Sequence, residues 1–169
     1  LISMRPSILS SAYGPVKRIV DVTVSMLLLI LGLPVAAIVA LLIRAESKGP
    51  VIFSQERAGL HRKPYRLYKF RTMIAGAESE TGPILSQRDD PRVTRLGKIL
   101  RKYRIDEWPQ LWNVLLGQMS LVGPRPERPE FIERFIAENP LYGRRFLVKP
   151  GLTGLAQIHG RYDSDYAHK

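Results

Sequence analysis

Two adjacent carboxylates, Asp106 and Glu107, stand in a stretch of the sequence that is otherwise rich in arginine. Arg101 precedes them by about one helical turn, and Arg125 follows in a Pro-Arg-Pro sequence that predicts a rigid turn. Guanidinium groups bind phosphate oxygens two at a time, and a carboxylate is a reasonable nucleophile toward phosphorus. A helix start, which the sequence predicts at Asp106, also favours anions. This spacing predicts a phosphate-handling site.

A purely structural interpretation of the same residues stays open. Asp106 is a good N-cap for a helix that has Pro109 in its first turn and ends at Gly117. On that interpretation Asp106 only caps the helix, and Glu107 is a solvated residue of its first turn. The neighbouring cations favour the phosphate-handling interpretation.

The composition narrows the class of protein. The 169 residues carry a formal net charge of +11, which predicts an anionic partner such as nucleic acid, a phospholipid surface or a phosphorylated substrate. The chain contains no cysteine, so disulfides, thiolate catalysis and cysteine-based zinc sites are excluded. Walker A and dinucleotide-binding fingerprints are absent, so ATP-driven or NAD-linked chemistry has no support from a motif.

The strongest compositional signal is a run of 22 uncharged residues between Asp21 and Arg44. About 20 apolar residues are enough to cross a bilayer, whereas a buried helix of a soluble protein is the alternative. Pro34 at the centre predicts a kink, and basic residues flank both ends, so the charges do not favour opposite sides. A helix that bends at Pro34 and returns to the same face, and a single pass with a mild kink, are equally compatible with this pattern.

The chain is predicted to have three parts: a linker or tail of an upstream region at 1–15, a membrane-embedded helix at 16–46, and a catalytic domain at 47–169 whose C-terminal part is truncated. The catalytic part is expected to contain a small β-hairpin formed by Val51–Phe53 and Tyr65–Arg71. A basic amphipathic helix at 92–103 and a short helix at 129–139 are also expected. The fold class is therefore α+β, predominantly helical with a small β-hairpin.

Several motifs occur in a characteristic order along the chain. They are KRIVD at 17–21, GPVIFSQERAG at 49–59, YKFRTM at 68–73, LGKILRKYRIDEWPQLWNVLLGQMSLVGPRPE at 96–127 and VKPGLTGLAQIHGR at 148–161. Together with the proline-containing hydrophobic segment, they resemble the bacterial sugar transferase family, the monotopic phosphoglycosyl transferases that act on polyprenol phosphate. The resemblance covers nearly everything from about residue 16 to residue 161.

The resemblance implies an activity and a set of site residues. A membrane-bound enzyme of this family transfers a sugar 1-phosphate from a UDP-sugar to undecaprenyl phosphate and releases UMP, forming an undecaprenyl-diphospho-sugar. Asp106 would be the nucleophile that forms a covalent phospho-sugar intermediate, and Mg²⁺ would be held by Asp106 and Glu107. The phosphate- and substrate-binding candidates are Lys69, Arg101, Arg125, Glu130 and Arg145.

The resemblance also implies a location and partners. The membrane helix would be re-entrant and broken at Pro34, where Leu33 stands in place of the serine usual in the family. The catalytic domain would face the cytoplasm at the bacterial inner membrane, with UDP-sugar, undecaprenyl phosphate and membrane lipids as partners and no nucleic acid. The sugar and any homo-oligomer are left open.

Two other functions compete with this one. The first is a non-enzymatic, membrane-anchored basic module that binds anionic lipid, acidic protein or nucleic acid, which leaves the carboxylate pair unexplained. The second is a transferase in which the polyprenol phosphate attacks the UDP-sugar directly.

Overall fold

The computed structural model of the protein describes residues 13–77 and 90–159. Its helices and strands are α1 (Tyr13–Glu46), β1 (Ile52–Ala58), β2 (Pro64–Phe70), α2 (Arg95–Lys102), α3 (Gln110–Leu115), β3 (Ser120–Val122), α4 (Pro129–Glu138), β4 (Gly151–Thr153) and α5 (Leu155–His159). Three 3₁₀ segments are found at Leu60–Arg62, Ile105–Glu107 and Pro140–Leu147. This confirms the mixed class, with helices dominating and small sheets between them.

Helix α1 is the longest element, and one stripe along it is covered by the rest of the protein. At 1.5 Å per residue its 34 residues span about 51 Å. The buried residues Asp21, Ser25, Gly32, Val39 and Ile43 follow one another at helical spacing, whereas the leucines and isoleucines on the other faces are exposed. The helix is long and apolar enough for membrane insertion.

The helix continues through Pro34 without interruption. A proline inside a helix removes one hydrogen bond, here the one to the carbonyl of Ile30, and the flanking turns remain packed through Gly32 and Ala36. The predicted break at Pro34 is therefore not confirmed, and the re-entrant bend stays a prediction. The helix begins three residues before the predicted boundary at 16.

The predicted hairpin is confirmed. Strands β1 and β2 pair antiparallel in a register that runs from Ile52 opposite Phe70 to Ala58 opposite Pro64. Both faces of β2 contribute to the core. Phe70 packs with α1 and α2, and Leu67 packs with Val114 of α3. The hairpin therefore holds the helices together.

Strands β3 and β4 form a second sheet, in which Ser120 lies parallel to Gly151 and Val122 to Thr153. Strands of three residues are too short to show a periodic pattern, and the sequence did not predict this sheet. It fixes the turn that follows β3, because the N–H of Gly151 donates to the carbonyl of Pro124 at 2.8 Å. The sheet therefore determines where the Pro-Arg-Pro turn lies.

The predicted helix from Asp106 to Gly117 is wrong at its N-terminal end. Residues Ile105–Glu107 form a 3₁₀ turn, and α3 begins only at Gln110. The physical reason is Pro109, which has no N–H and cannot close an α-helical bond onto the carbonyl of Ile105. The N–H of Trp108 donates to that carbonyl instead, at 3.1 Å. The predicted end at Gly117, whose φ is +77°, is confirmed.

Candidate active site

The 3₁₀ turn buries both carboxylates that the sequence singled out. Asp106 is 4% exposed and Glu107 is 5% exposed. Neither the 3₁₀ turn nor α3 has a hydrogen bond from a capping side chain at its N-terminal end. The interpretation of Asp106 as a helix cap is therefore contradicted, and its burial needs another explanation.

Three cations surround the carboxylate of Glu107. Lys69 Nζ and Arg125 Nη1 each lie 3.3 Å from Oε1, and Arg104 Nη1 lies 3.6 Å from Oε2. Burial by itself raises the pKa of Glu107, but the charges of Lys69, Arg125 and Arg104 outweigh it and lower the pKa to about 2. Glu107 is therefore a permanently ionised group in a compensated cluster.

Asp106 lies beside this cluster in a different electrostatic state. Burial raises its pKa above the ordinary value of 3.8, as does the negative charge of Glu107, against the opposing charges of Lys69 and Arg101. Within residues 13–77 and 90–159, its carboxylate has no cation at ion-pair distance. Two neighbouring carboxylates whose pKa values are pushed apart are suited to different chemical roles.

The end of strand β2 supplies contacts to three parts of the site. Lys69 binds Glu107, Arg71 is buried against the C-terminal end of α1, and Thr72 Oγ1 accepts a hydrogen bond from Arg101 Nε at 2.9 Å. Burial lowers the pKa of Lys69, although Glu107 opposes the shift. The YKFRTM motif therefore connects α1, the carboxylates and a phosphate-binding candidate.

Arg101 reaches its position because α2 packs closely on the chain after β2. A side chain at Gly97 would overlap the backbone of Thr72, so only glycine permits this approach. The resulting position brings the guanidinium close enough to lower the pKa of Asp106. The structure thus places Lys69 and Arg125 against Glu107 and Arg101 near Asp106, and their binding of phosphate stays a prediction.

Arg145 takes part indirectly. Its Nη2 donates to the carbonyl oxygen of Arg125 at 3.0 Å and lies 3.5 Å from Glu127 Oε1, while its guanidinium stacks over Tyr142. These contacts fix the Pro-Arg-Pro turn through the backbone of Arg125 and the side chain of Glu127. Glu130 is placed apart from the cluster, half-exposed at the start of α4 and 3.8 Å from Arg128 Nε.

A concave surface adjoins the cluster on the side of the Pro-Arg-Pro turn. The pocket is small and open to solvent. Its lining includes Ala58, Gly59, Arg125, Arg145, Phe146 and Pro150. Arg125 and Arg145 make this small recess cationic, and Arg125 joins it to the carboxylate of Glu107.

Comparison with known proteins identifies the family. The family model described as bacterial sugar transferase matches residues 12–169. The chain belongs to the bacterial sugar transferase family.

Named relatives agree with this family. The chain is 44% identical over 156 residues to a UDP-N-acetylgalactosamine-undecaprenyl-phosphate N-acetylgalactosaminephosphotransferase of Aeromonas hydrophila, covering 92% of the chain and 37% of the relative. It is 48% identical over 146 residues to a UDP-glucose:undecaprenyl-phosphate glucose-1-phosphate transferase of Caulobacter vibrioides, covering 85% and 54%. A protein of the same name from Klebsiella pneumoniae is 46% identical over 154 residues, covering 90% and 33%. The chain therefore spans about a third to a half of these three relatives.

The candidate donors for Mg²⁺ at this site are the two carboxylates, and its binding here stays a prediction. No group of three or more histidine, cysteine or acidic side chains that could hold a metal ion occurs in the part of the chain that the structure describes. Mg²⁺ is commonly bound by one or two carboxylates together with substrate phosphates. Asp106 and Glu107 fit that mode of binding.

Sequence reasoning missed two residues that organise the site. Thr72 holds Arg101, and Asn113 joins α3 to β2. The buried Asn113 accepts from the N–H of Tyr68 at 3.1 Å and donates to the carbonyl of Arg66 at 2.7 Å. An asparagine among the apolar residues of a short helix was the available signal, because a buried amide needs partners.

Proposed function

We propose that the chain carries the catalytic machinery for transferring a sugar 1-phosphate from a UDP-sugar to undecaprenyl phosphate, with release of UMP. The observation that carries the proposal is the difference between two adjacent buried carboxylates. Glu107 is neutralised by Lys69, Arg104 and Arg125, whereas Asp106 is buried without an ion pair among the described residues. The names of the relatives support the two substrate classes.

In the first half-reaction, a carboxylate oxygen of Asp106 attacks the β-phosphorus of the UDP-sugar. The bond from that phosphorus to the oxygen bridging the two phosphates breaks, and UMP leaves with the electron pair. The sugar 1-phosphate is then attached to Asp106 as an acyl phosphate. A carboxylate with a raised pKa is a stronger nucleophile once ionised, and the cations Lys69 and Arg125 stabilise the charge that develops on the phosphates.

In the second half-reaction, a phosphate oxygen of undecaprenyl phosphate attacks the same phosphorus. The acyl-phosphate bond breaks, the carboxylate of Asp106 is restored, and the undecaprenyl-diphospho-sugar is released. Lys69, Arg101 and Arg125 serve both steps, because each step passes through a similarly charged phosphoryl group. Bound Mg²⁺, held by Asp106 and Glu107, would neutralise further charge on the diphosphate.

The packing of α1 supports a helix that does not span the membrane upright. Its buried stripe extends from Asp21 to Ile43, about 33 Å along the helix. Gly32 lies midway and contacts Trp108, the residue after Glu107. An upright spanning helix would therefore place charged catalytic groups near the centre of the bilayer, which is costly. We infer a re-entrant or interfacial helix at the inner membrane, with the catalytic domain on the cytoplasmic side, where UDP-sugars are available.

The test of the reaction is UMP release from a panel of UDP-sugars by the full-length protein, with Mg²⁺ and with or without undecaprenyl phosphate. We expect one sugar nucleotide to give a stoichiometric burst of UMP without the lipid and turnover with it. Asp106→Asn should abolish both while still binding the nucleotide. Glu133→Gln is the matched control, because this carboxylate is exposed and pairs with Arg62 on the surface.

The outcomes separate the competing functions. A sugar phosphate on Asp106, found by mass spectrometry of the burst mixture, would exclude direct attack by the lipid phosphate. Turnover without a burst or an adduct would favour direct attack. If no UDP-sugar supports UMP release, the membrane-anchored binding module becomes the better description.

The membrane topology has its own test, which uses the absence of cysteine from this chain. Gly14→Cys and Lys48→Cys place single thiols at exposed positions near the two ends of α1. With an impermeant maleimide, both thiols should react in inside-out vesicles and neither in spheroplasts. Reaction of the two thiols from opposite sides would contradict the proposed topology.

A further inference from the structure

The centre of α1 contains a notch that is filled by an aromatic side chain from the active-site turn. Gly32 is buried in the contact stripe of the helix. A Cβ built on Gly32 would overlap the six-membered ring of Trp108, so the indole rests directly on the helix backbone. The active-site turn therefore contacts the middle of the helix directly.

Trp108 is joined rigidly to the carboxylates. It directly follows Glu107, its N–H donates to the carbonyl of Ile105 at 3.1 Å, and its own carbonyl accepts from the N–H of Leu111 at 3.0 Å. Trp108 therefore links the 3₁₀ turn to α3 through backbone hydrogen bonds on both sides. A displacement of the indole must rotate or shift the turn that carries Asp106.

The partly buried indole is also held by an apolar cluster. Trp108 packs against the cluster formed by Val39, Ile43, Phe70 and Leu100. Protein interiors are close-packed, so a side chain forced out of such a site transmits the displacement to its neighbours. A glycine inside a helix costs about 1 kcal/mol relative to alanine, and here it permits the contact between the helix and the indole.

We propose that Gly32 is a positioning residue: by seating Trp108 on the membrane helix, it sets the orientation of the Asp106 carboxylate toward Lys69 and Arg125. The inference rests on the proposed function, because it concerns the alignment of the nucleophile. It also means that the conformation of α1 next to Pro34 acts directly on the catalytic turn. The contact should therefore affect the rate of the first half-reaction, which does not require the lipid acceptor.

The test is a size exchange across the contact. Gly32→Val should displace the indole and lower the rate constant of the UMP burst by about 100-fold, the effect expected of an ångström-scale misplacement. The KM for the UDP-sugar should stay within about twofold, because the phosphate-binding cations are not part of the contact. Trp108→Leu should lower the same rate about tenfold, and Gly32→Val combined with Trp108→Leu should recover most of the loss, as coupled neighbours do.

Two controls distinguish positioning from folding. Ala37→Val makes a similar enlargement on the exposed side of α1 and should change nothing. In a Trp112→Phe background, Trp108 is the remaining tryptophan of this chain, and its emission should shift to longer wavelength in Gly32→Val as the indole leaves the helix. Thermal unfolding of every variant gives the folded fraction.

Each outcome decides one question. A parent protein without a UMP burst contradicts the proposed function, whereas the emission of Trp108 still tests the contact. With an active parent, an unchanged burst rate in Gly32→Val overturns the inference. So does a loss that equals the unfolded fraction, or a double variant that folds but remains as slow as Gly32→Val.

Discussion

The guanidinium of Arg71 closes the C-terminal end of α1 through Ser47, donating to its carbonyl oxygen at 2.7 Å and to its hydroxyl oxygen at 2.9 Å. It also donates to the carbonyls of Ile43 and Lys48. The last carbonyls of a helix have no partner inside the helix, and a cation complements the negative end of its dipole. Because Arg71 lies two residues after Lys69, one strand end connects α1 to the cluster around Glu107.

Replacing Arg71 should therefore destabilise the folded protein, because it removes the contacts between the end of β2 and α1. Arg71→Met leaves buried carbonyls without donors, and we expect a loss of about 3 kcal/mol in the free energy of unfolding. Arg71→Lys should recover only part of it, because an ammonium group does not reproduce the planar fork. Chemical unfolding in detergent micelles measures both. Arg134→Met is the control, since Arg134 pairs with Glu138 on an exposed surface and should cost less than about 0.5 kcal/mol. Equal losses would contradict this account.

Arg125 and Arg104 both contact Glu107, but they should matter differently for the reaction. Arg125 approaches to 3.3 Å and is 30% exposed, whereas Arg104 lies at 3.6 Å and is 41% exposed. Arg125→Ala should lower kcat for UMP release about 100-fold, as loss of a preorganised charge donor does. Arg104→Ala should lower it less than tenfold, because a more exposed pair is screened by water. Initial rates of UMP release compare the two, and a reversed order would show that Arg104 is the principal phosphate contact.

The dependence of the burst rate on pH should be bell-shaped. Asp106 must be ionised to attack, and its pKa is raised above 3.8, so the acid limb lies above that value. Lys69 must be protonated to stabilise phosphate, and its pKa is lowered below 10.5, so the basic limb lies below that value. Glu107 titrates at about 2 and contributes neither limb.

A substitution checks this assignment of the acid limb. The charge of Glu107 raises the pKa of Asp106, so Glu107→Gln should move the acid limb of the residual burst activity to lower pH. The measurement is the burst rate at several pH values for the parent and the variant. An acid limb that stays in place would show that a group other than Asp106 controls it.

The close approach of α2 to the chain after β2 should depend on Gly97. Gly97→Ala would force the helix away from the backbone of Thr72 and loosen the bond from Arg101 to Thr72. We expect a loss of about 2 kcal/mol in the free energy of unfolding and a lower rate of UMP release. Gly143→Ala is the matched control, because the nearest atom to its added Cβ is Ile136 Cδ1 at 3.8 Å. Similar stability of the two variants would rule out the packing argument.

Features that rest on the composition or spacing of neighbouring residues could be predicted from the sequence. The uncharged run predicted α1, the alternation after Pro64 predicted β2, and the arginines around Asp106 predicted a cationic cluster that the structure contains. These features depend on local composition or spacing. The motif resemblance added Lys69, which the structure places 3.3 Å from Glu107.

The 3₁₀ turn that carries Asp106 is a local exception: the helix prediction placed Pro109 in the first turn as tolerated, but its missing N–H favours a 3₁₀ turn there. Other features arise only when distant segments meet. The role of Thr72 depends on how closely α2 approaches, and the role of Gly32 depends on an indole 76 positions further along the sequence. The spacing of residue types along a sequence does not show which distant segments pack together.

The bond between Asp21 and Ser120 also has a consequence for biosynthesis. Asp21 accepts from the Ser120 hydroxyl at 2.8 Å and from the N–H of Leu121 at 3.1 Å, across about a hundred residues of sequence. During translation α1 is synthesised long before β3 leaves the ribosome. At that stage Asp21, near the N-terminal end of the apolar helix, lacks these partners. Lys17, one turn earlier and 3.1 Å away, is already present to neutralise it. The Lys17–Asp21 pair can therefore keep the nascent helix stable until the later strand arrives.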